Sequence, residues 1–411
     1  MKASAAICLA VLFVPTVIGP APVFAESKKD DADLRPARLN IPDVENAFTY
    51  FKLAARKAYR PDDKAETYDA MFAGEAWNKK LAARIIKKNQ KAFEHLRQGL
   101  EQARMEPPEA SGLDALIPVY AGWRKLARLK TIHAAALQRR GEHKKALDQA
   151  MSAVKFGHMI ESGRGPILQY LVGLSVKETA LSSLRARLAD ANLKRQQLKD
   201  YLEGLAAYVT DPDALADSLR AEYAFGLKLM DDLYPHRAGD SEKETPKHDS
   251  VFQSDKMRTM YADTLRTYIG NAAKPRCDHV EPQLVDKGAD KAFEKMPPAE
   301  LASRPDAMGM MVCMTLIPPL DKLLMEKCRE NVSVAATRIL IALKCHKMKT
   351  GKLPGTLDAL VPDYIDKIPS DDFDGKPMRY SPKKKLIYSV GEDMKDDGGD
   401  AERDLIYEIG F

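Results

Sequence analysis

Residues 123–153 read WRKLARLKTIHAAALQRRGEHKKALDQAMSA. Small side chains (Ala134, Ala135, Ala136, Ala146, Ala150 and Ala153) stand where two helices would cross closely, and Gly141 supplies the turn between them. The stretch predicts one helical hairpin. Outward from it, helical spacing runs from Asp43 to about Gly270, with Ile85, Asn89, Phe93, Leu96 and Leu100 stacking on one face. Breaks fall at Pro61, Pro107-Pro108, Gly141, Gly163 to Pro166, Asp211-Pro212 and Pro235. Helices of ordinary length joined by short turns follow. The body is expected to be a helical-hairpin array, residues 43–305, interrupted by a polar loop at 235–256.

A different texture begins after a long apolar-periodic helix that opens at Pro319, runs through Val332, Ile339 and Leu343, and stops at Gly351. Asp/Gly/Pro-rich turns lead into a strand near Arg379-Tyr380, a second over Leu386 to Val390, and a third over Asp404 to Ile409. Residues 306–411 thus read as a small α+β domain, a long helix on a short antiparallel sheet. The fold class is mainly α.

Composition narrows the class without naming a reaction. In 411 residues, 45% are hydrophobic and 30% charged, which describes a globular chain, neither disordered nor a multi-pass membrane protein. Its 64 basic and 59 acidic residues are interspersed, and the net charge of +5 has no concentrated basic block to attract nucleic acid. Residues 1–25 form a signal peptide: a basic Met1-Lys2 start, an apolar run from Ala3 to Gly19, and small residues Val23 and Ala25 before the cleavage point. The expected location is periplasmic or secreted, with no membrane span after cleavage. Residues 26–42 are polar and read as a mobile arm.

Export makes disulfides permissible among Cys277, Cys313, Cys328 and Cys345. Cys328 and Cys345 lie about 25 Å apart if both are on one helix, at ~1.5 Å of rise per residue, and cannot bridge. Cys277–Cys313 or Cys313–Cys328 are favoured, with buried free thiols as the alternative.

Two family resemblances attach to these segments. The 123–153 hairpin resembles a single tetratricopeptide unit, although no second copy follows at that family's period. The runs TGKLP (350–354), LDALVP (357–362), IPSDDFDGKPMRY (368–380) and IYSVGED (387–393) resemble, in order, the C-terminal region of the major pseudopilins of the type II secretion system. That resemblance implies a calcium ion in the last loop. It places ligands at the Val390 carbonyl and Asp393, and at Asp404. The intervening loop is longer and more acidic than the family's and offers Asp396, Asp397 and Asp400, of which Asp397 and Asp400 are taken as ligands. A pseudopilin keeps its apolar N-terminal helix, whereas here the apolar segment precedes the cleavage point, so no role as a fibre subunit is implied.

The loop supports a hard cation on its own chemistry. From Glu392 to Asp404 there are seven acids against Lys395 and Arg403, a self-repelling set unless a cation such as Ca²⁺ gathers the oxygens. A solvated acidic tip is the alternative. Signatures of catalysis are thin. Ser152 and Lys155 fit S-x-x-K and Lys349 to Gly351 fit K-T-G, but K-T-G here ends a helix rather than lying on a strand. His133 and His143 lack a zinc-site spacing, and Cys277, His279 and Glu281 alternate in a Pro-flanked loop. The expected function is therefore an exported, non-catalytic scaffold that binds a protein partner and carries calcium. A periplasmic hydrolase using the His279 region is the alternative.

Overall fold

A computed structural model describes residues 31–108, 113–233, 254–274, 277 and 320–411. The expected signal peptide at residues 1–25, the polar stretch up to residue 253, His279, Glu281 and Cys313 lie outside these residues. The described residues form eleven α-helices and three strands: α1 Ala47–Lys57, α2 Ala65–Ala73, α3 Lys79–Lys88, α4 Gln90–Glu101, α5 Leu113–Gln138, α6 His143–Glu161, α7 Ile167–Leu188, α8 Arg195–Ala206, α9 Pro212–Leu233, α10 Ser254–Ala272 and α11 Leu320–Thr350, then β1 Arg379–Ser381, β2 Leu386–Ser389 and β3 Leu405–Glu408. None of these helices is long and apolar enough to cross a membrane.

Most expected punctuation holds for the expected reasons. The 123–153 hairpin is the end of α5 and the start of α6, turning at Gly141. One boundary differs. The face containing Ile85 and Phe93 belongs to two helices, because Asn89 ends α3 and begins α4. Its side chain is buried, accepts the Tyr59 amide (2.8 Å), and donates to the carbonyls of Tyr59 (3.0 Å) and Ile85 (2.9 Å). The Asn89 amide still reaches the Ile85 carbonyl (3.1 Å), and the side chain adds a second donor to that oxygen while tying the junction of the two helices to Tyr59.

Two hydrophobic cores hold the chain. The first joins α1 to α5 with one face of α6 and α7, and is aromatic at its centre. Trp123 is fully buried, meets Phe48 edge-on at 5.7 Å, and gives its indole N–H to the Phe51 carbonyl (3.1 Å). Phe51 in turn meets Phe156 of α6 at 4.7 Å. The second core runs without interruption from α6 through α11 to the sheet. These cores do not divide at residue 305; the long helix is a central member of the second core, packing on α7 and α8 as well as on the sheet.

The sheet is antiparallel in the order β1-β2-β3, with Tyr380 opposite Ile387 and Ile387 opposite Tyr407. Ahead of it, the Asp371–Arg379 segment folds around one buried carboxylate. Asp371 accepts the amides of Phe373 (3.1 Å) and Val390 (3.0 Å), the Ser389 hydroxyl (2.9 Å) and the Arg379 guanidinium (2.7 Å). That network explains the dense Asp/Gly/Pro/Arg pattern of this stretch: a three-stranded sheet buries little area, so polar closure holds its edges.

Two sequence expectations need correction. Cys277 pairs with Cys328 at the start of α11, with a Cα–Cα distance of 6.5 Å, while Cys345 is a buried free thiol. The tertiary path that brings residue 277 to α11 is not visible in spacing: the Cys277 amide bonds the Asp372 carbonyl (3.2 Å), and Lys327 holds the carbonyls of Ala272 (2.9 Å) and Lys274 (3.2 Å). Residues 31–42 are docked rather than a mobile arm. Leu34 is buried in the second core, and Asp31 and Asp33 accept from Arg266 of α10 at 2.6 and 2.8 Å.

Candidate functional site

The acidic loop joins β2 to β3. Its backbone turns through left-handed residues at Gly391, Met394, Gly398 and Gly399, with φ between 58° and 77°. At Gly399 a Cβ would also come 2.9 Å from a methyl of Leu386, so only glycine suits both the dihedral and the space. Of the five expected ligands, Val390 and Asp404 are buried, Asp397 is half-buried, and Asp393 and Asp400 are exposed. Asp404 Oδ2 accepts the amides of Gly399 (2.7 Å) and Asp400 (3.0 Å). Asp393 and Asp400 each turn Oδ1 onto an amide two residues ahead, Lys395 (3.1 Å) and Glu402 (2.9 Å).

The loop's negative charge is partly met by the protein. Arg403 reaches Asp397 Oδ1 (3.2 Å), Arg379 lies 3.5 Å from Asp396, Arg329 of α11 pairs with Glu392, and Lys384 donates to the Gly398 carbonyl (2.7 Å). Two carboxylate oxygens remain buried without a partner among the described residues, Asp397 Oδ2 and Asp404 Oδ1. Buried acceptors of this kind suit a hard, oxygen-seeking cation. Among the described residues no three His, Cys, Asp or Glu side chains converge as a metal site. The five residues share one loop, but the four carboxylates among them are not gathered.

A cleft of about 610 Å³ opens beside the same loop. It is walled by Glu178 and Arg185 of α7, Arg329 and Leu340 of α11, the C-terminal Phe411, and Leu405, Ile406, Tyr407 and Glu408. Those last four are consecutive residues of β3. Side chains alternate between the two faces of a strand, so a cleft lined by all four runs along the strand's edge. β3 is an edge strand among the described residues. Arg185 stiffens the opposite wall: it donates to Ser333 (2.8 Å), Thr337 (2.9 Å) and Glu178 (2.7 Å), and its guanidinium lies 5.1 Å from the Tyr407 ring centre.

A third cluster, which no motif announces, lies between α6, α7 and α11. Lys177 is fully buried and touches Glu161 (2.5 Å), Glu330 (3.0 Å), the Tyr208 carbonyl (3.1 Å) and the Thr210 hydroxyl (3.2 Å). Two glycines place it: a Cβ on Gly157 would lie 2.5 Å from the Lys177 nitrogen, and one on Gly173 2.4 Å from that of Glu161. α6 and α7 therefore touch backbone to backbone, each glycine seating the other helix's charged residue. Burial works against the Lys177 charge, but the two carboxylates outweigh it and leave its pKa above the ordinary value. A nucleophilic lysine needs the opposite shift. This cluster is a structural keystone.

The remaining candidates stay apart. Ser152 donates to the Gln149 carbonyl (2.8 Å) and Lys155 to that of Leu100 (2.6 Å), while Lys349 pairs with Asp363 (2.9 Å). No nucleophile–base pair forms from S-x-x-K and K-T-G. His133 stacks on Phe93 at 5.4 Å, and burial, with Lys130 and Arg140 nearby, lowers its pKa to about 4. Cys345 is also inert, its thiol pushed up to about 11 by burial. Compared with protein-family models, with curated proteins and with solved structures, the chain matches none.

Proposed function

We propose that the chain is an exported, non-catalytic scaffold that docks an extended segment of a protein partner along β3, with Ca²⁺ in the β2–β3 loop steadying that edge. The observation that carries this reading is the cleft along β3, whose outer edge, among the described residues, has no strand partner and offers main-chain donors and acceptors to an added strand. The apolar side chains of Leu405, Tyr407 and Phe411 offer contact to alternate residues of such a segment. Val390, Asp393, Asp397, Asp400 and Asp404 would supply the calcium oxygens, and the buried partnerless oxygens of Asp397 and Asp404 support that assignment. Calcium bound to this loop would order the residues that enter β3. Residues 1–25 carry the export reading.

Both halves are open to direct test. A ligand that binds only the folded chain stabilises it by about 2.7 kcal/mol at a hundredfold excess over its dissociation constant. Calcium is thus expected to raise the melting temperature, chelation to reverse the rise, and Asp393→Ala to abolish it; an unchanged melting curve removes the metal. For the partner, displayed random peptides are selected on the immobilised protein. The selected peptides should protect β3 amides in hydrogen exchange, and a selection that yields no binders, or binders that protect other elements, overturns the docking edge.

A further inference from the structure

A second cleft, about 630 Å³, lies in the N-terminal region between residues 38–43 and α1. Its outer wall is built on Glu106, whose side chain is only 3% exposed. The Glu106 carboxylate accepts the amides of Leu39 (2.8 Å) and Asn40 (3.0 Å), and Arg38 approaches it at 3.5 Å while donating to the Pro107 carbonyl (3.1 Å). The Asn46 side chain locks the same residue from behind, donating to the Glu106 carbonyl (2.7 Å) and accepting its amide (3.0 Å). Asn40 is held at φ 52°, a left-handed conformation unusual outside glycine. These bonds hold the wall off α1, so the cleft stays open, and they satisfy the Glu106 charge within the wall itself.

The inner wall is α1. Lys52 and Arg56, one helical turn apart, both line the cleft, and neither has a hydrogen-bond or ion-pair partner among the described residues. Asp43 is the one other acid in the lining, and it is exposed. With Arg38 and Glu106 paired to each other, the open charges are two cations against one carboxylate. The lining also includes Thr49 and the apolar residues Ile41 and Leu53.

We propose that this cleft binds a small organic anion, its phosphate or carboxylate held by Lys52 and Arg56 and its body against Ile41 and Leu53. Guanidinium and ammonium groups recognise both anions, Arg through paired N–H donors and Lys as a mobile point charge. The cleft volume lies within the range of small-molecule sites and exceeds what an inorganic ion fills. The proposal is independent of the partner edge and of the calcium loop, which lie in the other core.

The test is titration calorimetry on the full mature chain with four probes: glycerol 3-phosphate, citrate, inorganic phosphate and uncharged glycerol. Saturable binding of glycerol 3-phosphate or citrate is expected, weakening as salt is raised, with glycerol silent; whichever of the two binds names the head group. Lys52→Ala with Arg56→Ala should weaken binding at least tenfold. Among the described residues neither side chain makes a hydrogen bond or ion pair, so the melting temperature should stay that of the parent chain. Arg56→Glu should abolish binding. No binding of either organic anion at millimolar concentration, or equal binding by the double variant, overturns the site, as does binding of inorganic phosphate alone.

Discussion

The N-terminal core and the C-terminal sheet of this protein are closed with different chemistry. In the N-terminal one, Trp123, Phe48, Phe51 and Phe156 meet edge to face, and the interior is held by area and shape. At the C-terminal end a three-stranded sheet offers little area. There, a buried carboxylate with four donors, the Cys277–Cys328 bridge and the cations around the acidic loop reinforce what Phe373, Ile387 and Val390 add to the second core. Packing tolerates little local freedom, whereas polar closure leaves an edge and a loop able to accept a strand or an ion. The region reinforced by polar closure is accordingly the one in which the proposed docking edge lies.

The contrast predicts which perturbation reaches which region. Trp123→Ala should destabilise most, by about 3–5 kcal/mol, through lost burial and a residual cavity. Hydrogen exchange would then speed up across α1 to α5 and leave β1 to β3 nearly unchanged. Uniform loss of protection would break the comparison and make the two cores one cooperative unit.

Reducing the Cys277–Cys328 bridge should act on the opposite side. The bridge closes a loop across a sequence separation of 51, worth about 4 kcal/mol in the chain-entropy account as an upper figure. Exchange should rise at the start of α11 and in the sheet, with α1 to α5 protected. A fall in protection around Trp123 instead would contradict the separation.

The smallest effect sharpens the seam. Glu222 of α9 is buried, accepts the Ile167 amide (3.0 Å), and lies near enough to Tyr120 of the first core to raise that phenol's pKa further. Burial lifts Glu222 from 4.5 to about 7. The folded state therefore holds this proton more tightly than the unfolded chain. Its stabilising contribution is full below pH 4.5 and is lost as pH rises through about 7, amounting to about 3 kcal/mol at ~1.36 kcal/mol per unit. Glu222→Gln should flatten that part of the stability–pH curve, measured by denaturant unfolding from pH 4 to 8. An unchanged slope would place the titration elsewhere.

Local rules made much of this chain legible. Gly141 and Gly351 mark the ends that periodicity assigns them, the three strands fall where alternating apolar residues and turn chemistry put them, and α11 spans its expected length. Asn89 escaped because its role at the α3–α4 junction depends on Tyr59, thirty residues away, which its side chain both accepts from and donates to. The docked segment 31–42 escaped for a similar reason, since its polarity reads as solvated until Arg266 and Glu106 are placed beside it.

The acidic loop was visible as a local excess of charge, because its residues are neighbours in the chain. Neither cleft was. Lys52 and Arg56 look like an ordinary solvated helix face, and Arg185, Leu340 and Tyr407 come from three distant elements. Sequence alone determined the helical class, the turns, the strands and the acidic loop, because those depend on residues within a few positions of one another. Only the tertiary structure decided the Cys277–Cys328 pairing, the burial of Lys177 between Glu161 and Glu330, and the two clefts. Each of these requires side chains far apart in the chain to meet, and which ones meet is set by how whole helices pack.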